Sequence, residues 1–283
     1  NKQVQEKVNR VQDEAMIFAL MARARELGYA SPNIDLIYGL PLQTAESFAF
    51  TLQKVVELNP DRLSVFNYAH MPALFPAQRK IKDQDLPEAR EKLDILRQTI
   101  ATLTAQGYQF IGMDHFARRD DELAMAQRAG ELHRNFQGYT TQGDSDLLGM
   151  GVSAISMIGD TYAQNQKALK HYYADIRAKK TALWRGLQLS EDDCLRRDVI
   201  KSLICNFALS FSEIEARYSI DFRRYFAADL SALLPLIEDG LVEYQDNGLV
   251  VTAKGRLLIR NICMCFDRYL REKASGAQFS RVI

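Results

Sequence analysis

Asn33-Ile-Asp-Leu-Ile-Tyr-Gly-Leu-Pro41 constrains the fold of this chain more than any other stretch. Ile34, Leu36, Ile37 and Tyr38 are strand formers, and Pro32 and the Gly39-Leu40-Pro41 turn bound the run. It predicts one short buried strand with a single acid inside it. Side chains alternate along a strand, so Asp35, Ile37 and Gly39 share one face and Ile34, Leu36 and Tyr38 the other. In a parallel α/β barrel the outer face of such a strand packs on helices and the inner face looks into the barrel. An ionised carboxylate facing an apolar interior costs several kcal/mol unless it has partners. Asp35 is therefore either hydrogen-bonded within the core or holds a polar ligand, and composition does not choose between the two.

The flanking segments fit that architecture. Ala15, Phe18, Ala19, Ala22 and Leu27 recur at helical spacing, predicting a helix over 11–27 that stops at Gly28. Thr44 is an N-cap for a second helix, with Phe48, Leu52, Val55, Val56 and Leu58 as its apolar stripe and Asn59-Pro60 as its end. Residues 62–69 read as the next strand. Strand, helix, strand at this spacing is a βαβ unit, which implies parallel pairing and a right-handed crossover. A proline-punctuated loop over 71–87 carries Arg79, Lys80 and Lys82 and leads to a helix over 89–107. A third strand follows over 108–113, and a short polar helix over 120–128. Beyond a glycine-rich stretch and an apolar run at 152–158, residues 163–187 read as helical and charged.

The pattern changes near 188. Three helices precede Gly240-Leu241-Val242-Glu243-Tyr244, an Asn247-Gly248 turn and Leu249-Val250-Val251-Thr252. Asn-Gly between apolar runs is a strong hairpin signal. A helix over 254–270 completes a winged-helix-like pattern, and 275–281 reads as a tail. Two domains are expected, 1–187 and 188–283.

Bulk properties narrow the function classes. Lys+Arg and Asp+Glu both number 36 among 283 residues, so no net charge draws the chain to nucleic acid or an anionic membrane. No apolar run approaches the ~20 residues of a membrane span, and no signal peptide opens the chain. The four cysteines, Cys194, Cys205, Cys263 and Cys265, suit a reduced, cytoplasmic protein. The chain begins at Asn1 with apolar periodicity starting almost at once, which reads as a piece of a longer protein.

Several residue groups could carry chemistry. Gly143, Gly149, Gly151 and Gly159 permit close backbone approach to a ligand, yet their spacing fits no dinucleotide fingerprint and no Walker lysine follows. His70, His115 and His133 form no helical metal pair, and the cysteines lack zinc spacing. Cys263 and Cys265 read as buried free thiols, because Cys-x-Cys alone is not an iron–sulfur signature. A winged-helix-like end with Lys254, Arg256, Arg260 and Arg268 raises nucleic-acid binding, but Asp239, Glu243 and Asp246 lie close by and dilute any basic face.

Four segments together resemble the oxygen-independent coproporphyrinogen III oxidases, radical S-adenosylmethionine enzymes of haem biosynthesis. They are Asn33–Pro41, Arg62–His70, Asn135-Phe-Gln-Gly-Tyr-Thr-Thr141 and Gly149-Met-Gly-Val-Ser-Ala-Ile155. The resemblance continues through Asp198–Cys265 and the final Gln278–Ile283. It implies the second part of a partial (β/α) radical enzyme barrel, followed by a mostly helical, winged-helix-like C-terminal domain. It also implies oxidative decarboxylation of two propionates of coproporphyrinogen III to vinyl groups.

The family holds a [4Fe-4S] cluster with Cys-x-x-x-Cys-x-x-Cys near the start of its barrel, and that motif does not occur in this sequence. The resemblance therefore places the cluster upstream of Asn1 and implies that this chain alone is inactive and holds no cofactor. The family binds two S-adenosylmethionine molecules. By position, Arg10, Asp35 and Ala69 match contacts to the second, and Ile155 a contact to the first. Implied partners are the porphyrinogen and an electron-donor protein, with no nucleic acid or membrane. Basic side chains should meet the four propionates, and Arg10 and the Arg79–Lys82 loop are candidates. A related radical enzyme acting as a haem chaperone, or a winged-helix nucleic-acid module, is the alternative.

Overall fold

The computed structural model describes residues 1–143 and 145–272. The tail at 275–281 and the Gln278–Ile283 segment lie outside the described residues. The chain divides into two compact units, the first running from Asn1 to Met125 and the second beginning at Ala126.

The first unit opens with helices α1 (Lys2–Lys7) and α2 (Glu14–Glu26). Strand β1 (Asn33–Tyr38), helix α3 (Ala45–Leu58) and strand β2 (Arg62–Asn67) form the expected βαβ unit, and β1 and β2 pair in parallel. Thr44 caps α3 through a reciprocal box with Ser47. Helix α4 (Ala89–Ala105) leads to β3 (Tyr108–Gly112). The sheet order is β1-β2-β4-β3, where β4 (His115–Arg118) forms a hairpin with β3 and lies antiparallel between β3 and β2. Helix α5 (Glu122–Ala129) closes this part.

The sequence did not announce β4. The tight Met113-Asp114 turn, with Met113 at φ 52°, folds His115–Arg118 back onto β3. Its His-Phe-Ala-Arg sequence is too short to show a period.

One face of the sheet carries the core. Ile34, Leu36, Tyr38, Leu63 and Val65 pack with Phe48, Leu52 and Val55 of α3 and with Ile95 and Leu103 of α4. The other face corrects the expected burial of β1. Asn33, Asp35 and Ile37 are exposed, Ile37 at 44%. Among the described strands β1 pairs with β2 alone, so it is an edge strand with one face packed and one open to solvent.

In the second unit, β5 (His133–Asn135) and β6 (Gly138–Thr140) form a small hairpin. The apolar run at 152–158 carries strand β7 (Ile155–Ile158), and strand β8 (Thr161–Asn165), helix α6 (Leu169–Arg177) and strand β9 (Leu183–Gln188) replace the single charged helix expected over 163–187. β7, β8 and β9 form an antiparallel sheet in that order. The misreading has a physical cause. Every residue of β9 is exposed, so no buried face imposes a period of two on its sequence.

The remainder follows the winged-helix-like pattern. Helix α7 (Glu191–Asn206) starts at a Ser190–Asp193 capping box. Strand β10 (Ala208–Ser210) and helices α8 (Phe211–Tyr218), α9 (Phe222–Tyr225) and α10 (Ala227–Glu238) follow. The hairpin of β11 (Val242–Gln245) and β12 (Gly248–Val251) completes a sheet ordered β10-β12-β11. The long helix expected over 254–270 is broken into a 3-10 turn, α11 (Ile259–Met264) and α12 (Arg268–Glu272). Asp267 restarts the chain, its carboxylate accepting from Leu270 N at 3.2 Å.

Candidate cofactor site

A cleft of about 690 Å³ opens beside the edge of β1 in the first unit. Val4 and Val8 of the α1 segment, Arg10, Asp35, Ile37 and Phe66 are among its lining residues. The parallel register sets exposed Asp35 beside buried Ser64 and exposed Ile37 beside half-buried Phe66, on the sheet face opposite the core. Asn33 Nδ2 donates to Asp35 Oδ1 at 2.7 Å, and Ser64 Oγ donates to Asn33 Oδ1 at 3.3 Å. The antiparallel partner of Ser64 is His115 on β4, so a polar row crosses three strands. Gln43 locks the turn after β1, donating to Ile37 O at 3.0 Å and accepting from Leu40 N at 2.8 Å.

Arg10 and Asp35 therefore meet in one cleft, which combines apolar walls with an acid and a base. That mixture suits a ligand with an apolar body and both ammonium and carboxylate groups. The structure does not place Ala69 among the cleft's lining residues. Ala69 lies just beyond the C-terminal end of β2, exposed, with its carbonyl accepting from Gln78 Nε2 at 3.0 Å. Ile155 belongs to the second unit. It opens β7, is half-buried and pairs with Gln164 of β8.

The backbone around Ile155 explains two features of the glycine-rich stretch. A Cβ on Gly149 would lie 2.6 Å from Ile155 O, so only glycine lets the strands approach this closely. Ser156 Oγ accepts from Gly149 N at 3.0 Å, and Asn165 Nδ2 donates to Gly149 O and Gly151 O at 3.3 and 2.9 Å. A Cβ on Gly143 would meet the His133 ring. His133, Gly143 and Gly159 line a second cleft of about 460 Å³ with Arg197, Asp198 and Lys201. There burial, and secondarily the charge of Arg197, pushes the Lys201 ammonium below the usual lysine range.

Residues 189–258 match the family described as the HemN C-terminal domain. The chain is 70% identical over its full length to the oxygen-independent coproporphyrinogen III oxidase of Escherichia coli (strain K12), and spans 62% of that protein. Its similarity to the Thermostichus vulcanus oxidase is 49% identity, covering 99% of this chain and 86% of that protein. The chain belongs to the oxygen-independent coproporphyrinogen III oxidase family. The solved structure of the Escherichia coli coproporphyrinogen III oxidase (HemN), described as a radical SAM enzyme, superimposes with a TM-score of 0.94 at 71% identity. That match covers 95% of this chain and 62% of the solved one. The mixed α/β architecture, with no closed barrel among the described strands, agrees with a C-terminal portion of that enzyme.

Membership of the oxidase family raises the question of an iron–sulfur cluster. Among the described residues no group of three His, Cys, Asp or Glu side chains is placed to hold a metal ion. Cys205 and Cys263 are buried, and burial pushes both thiols up to about 12, far from the thiolate a cluster ligand must supply. Cys265, expected to be buried, is half-exposed at the end of α11. The cysteines of this chain thus do not fit a cluster, whereas the Arg10–Asp35 cleft presents one cationic and one anionic side chain to a ligand.

The basic candidates separate. Arg79 donates to Pro72 O at 3.1 Å, while Lys80 and Lys82 are exposed. In the winged-helix-like part, Lys254 donates to Asp239 O at 2.8 Å, Arg256 lies 4.6 Å over the Phe207 ring, and Arg268 pairs with Asp192 at 2.8 Å. Their contacts are internal ones. No helix among the described residues is long and apolar enough to cross a membrane. Sequence reasoning missed Asn33, Ser64 and His115 as members of the polar row. The signal available was the period-two position of Asn33 relative to Asp35; the partners across strands needed the register.

Proposed function

We propose that the protein containing this chain converts coproporphyrinogen III to protoporphyrinogen IX in haem biosynthesis, decarboxylating two propionates to vinyl groups. The relationship to the Thermostichus vulcanus oxidase, across 86% of that protein, carries this reading. The open cleft with Arg10 and Asp35 supports it from the side of the geometry.

When bound, S-adenosylmethionine supplies hydrogen-atom abstraction from the propionate β-carbon, using an electron from a [4Fe-4S] cluster. This chain's residues hold and orient. The Asp35 carboxylate accepts from an ammonium or ribose hydroxyl, and the Arg10 guanidinium pairs with a carboxylate. Ala69 offers its backbone carbonyl, and together these three serve one of two S-adenosylmethionine molecules. Ile155 offers an apolar contact to the adenine of the other. Asn33 fixes the Asp35 carboxylate so that it need not reorganise on binding. By the family resemblance, residues 1–187 are assigned to the barrel portion and 188–283 to a C-terminal domain that helps admit the porphyrinogen. A cytoplasmic electron-donor protein completes the partners, with no role for nucleic acid or membrane.

The test is anaerobic turnover of the full-length protein, reading protoporphyrin fluorescence after oxidation and 5′-deoxyadenosine by chromatography. The full-length protein is expected to give both products and this 283-residue chain neither. Haem binding without vinyl product would replace the reading with the chaperone alternative. A reconstituted [4Fe-4S] spectrum from this chain alone would overturn the division of labour.

A further inference from the structure

Ala69 sits in a turn that one side chain closes. The Gln78 amide bonds in both directions to the same turn: Oε1 accepts from Met71 N at 2.6 Å, and Nε2 donates to Ala69 O at 3.0 Å. The assignment of the two amide atoms is forced, because Met71 N–H needs an acceptor and Ala69 C=O a donor. The turn is tied to the sheet as well. Tyr68 N donates to Tyr38 O at 2.8 Å, which links the end of β2 to the end of β1. His70 lies between the Tyr68 hydroxyl at 3.1 Å and the Asp83 carboxylate at 3.0 Å. Gln78 itself is held by the 3-10 turn Pro76–Lys80, and Arg79 of that turn donates to Pro72 O.

A carbonyl oxygen has two lone pairs. Gln78 takes one of those on Ala69, and on this exposed residue the other is left for a further donor. We propose that Gln78 is a positioning residue for S-adenosylmethionine: its amide aims the second lone pair of the Ala69 carbonyl at an N–H or O–H donor of the cofactor. This rests on the reading above that Ala69 borders a cofactor site. A free turn would have to be ordered on binding, at a cost in backbone entropy that the preset turn avoids. Gln78 never touches the cofactor, so its effect passes through the Ala69 backbone. Neither the family segments in the sequence nor the apolar periodicity marks it.

The experiment uses the full-length protein, purified anaerobically, with equilibrium binding of radiolabelled S-adenosylmethionine and a thermal melt for each variant. Gln78→Ala removes both bonds. Gln78→Glu keeps the shape and the acceptor for Met71 but sets an anion against the Ala69 carbonyl. Both variants are expected to raise the Kd of one of the two S-adenosylmethionine molecules at least tenfold, so that occupancy at limiting cofactor falls from two towards one. The thermal midpoint and cluster absorbance should stay as in the parent. Asp35→Ala, measured in parallel, separates two failures. If Asp35→Ala weakens binding and both Gln78 variants bind within twofold of the parent, the positioning role is wrong and the site stands. If neither position matters, the site assignment falls with it.

Discussion

Asn33 Nδ2 lies 2.7 Å from Asp35 Oδ1, two residues apart on the open face of an edge strand. The pair turns an isolated acid into an oriented one. Asp35→Ala in the full-length protein is expected to raise the Kd for S-adenosylmethionine about tenfold to a hundredfold, the range lost with one charge-assisted hydrogen bond of ~1.5–3 kcal/mol. Asn33→Ala should cost less, because it loosens the carboxylate without removing it. Equilibrium dialysis against labelled cofactor ranks the two, and equal binding by Asp35→Ala and the parent would remove Asp35 from the site.

Gly149 and Ile155 offer a test in the second unit. Gly149→Ala places a Cβ 2.6 Å from Ile155 O and close to the rest of the Ile155 backbone, which cannot move out of the way cheaply. The strand must shift, at a cost of ~1–3 kcal/mol from overpacking. A lowered thermal midpoint is expected, together with broadened or shifted Ile155 and Gln164 amide resonances. A melt unchanged within a degree would contradict the close approach.

Asp229 is buried, accepts from Arg196 at 2.7 Å and forms an ion pair with Arg271 at 2.9 Å. Arg196 also reaches Asp192 at 3.0 Å and donates to Phe266 O at 3.0 Å, tying α7 to α10 and to the end of α11. Asp229→Ala leaves two guanidinium groups facing a carboxylate that is gone. A loss of about 3–5 kcal/mol is expected, the cost of breaking one side of a buried ion pair. Urea unfolding followed by tryptophan fluorescence and circular dichroism measures it. A loss below about 1 kcal/mol would class the pair with weak surface ion pairs.

The buried thiols make a prediction about pH. Burial raises Cys205 and Cys263 to about 12 in the folded state. An unfolded thiol ionises near ~8.5, so above that pH the unfolded state binds fewer protons. Stability from these groups is fully present below the unfolded pKa and falls as pH rises towards 12, by up to about 1.4 kcal/mol per pH unit for each thiol. At pH 8 a disulfide-exchange reagent should modify the half-exposed Cys194 and Cys265 first and reach the other two only with unfolding. Equal rates at all four cysteines would contradict the burial.

Much of the first unit was legible along the chain. The strand at Asn33, the Thr44 cap and the crossover to Arg62 are written in local signals, because turn residues and apolar spacing act over a few positions. The Asn247-Gly248 turn likewise announced its hairpin. The segment 161–188 was not legible. Its strands are stabilised by pairing with one another and by bonds such as Asn165 to Gly149 and Gly151, which no local pattern displays. β4 was hidden for the same reason.

The sequence by itself pointed to the family through four segments of family-specific residues, three of which contain the candidates Asp35, Ala69 and Ile155, while Arg10 was matched by position alone. Tertiary structure decided what those residues can do. It put Arg10 and Asp35 into one cleft, gave Asp35 an open face instead of a buried one, and joined Ala69 to Gln78. Register and chain return determine such pairings, and both arise from contacts between residues far apart in the sequence.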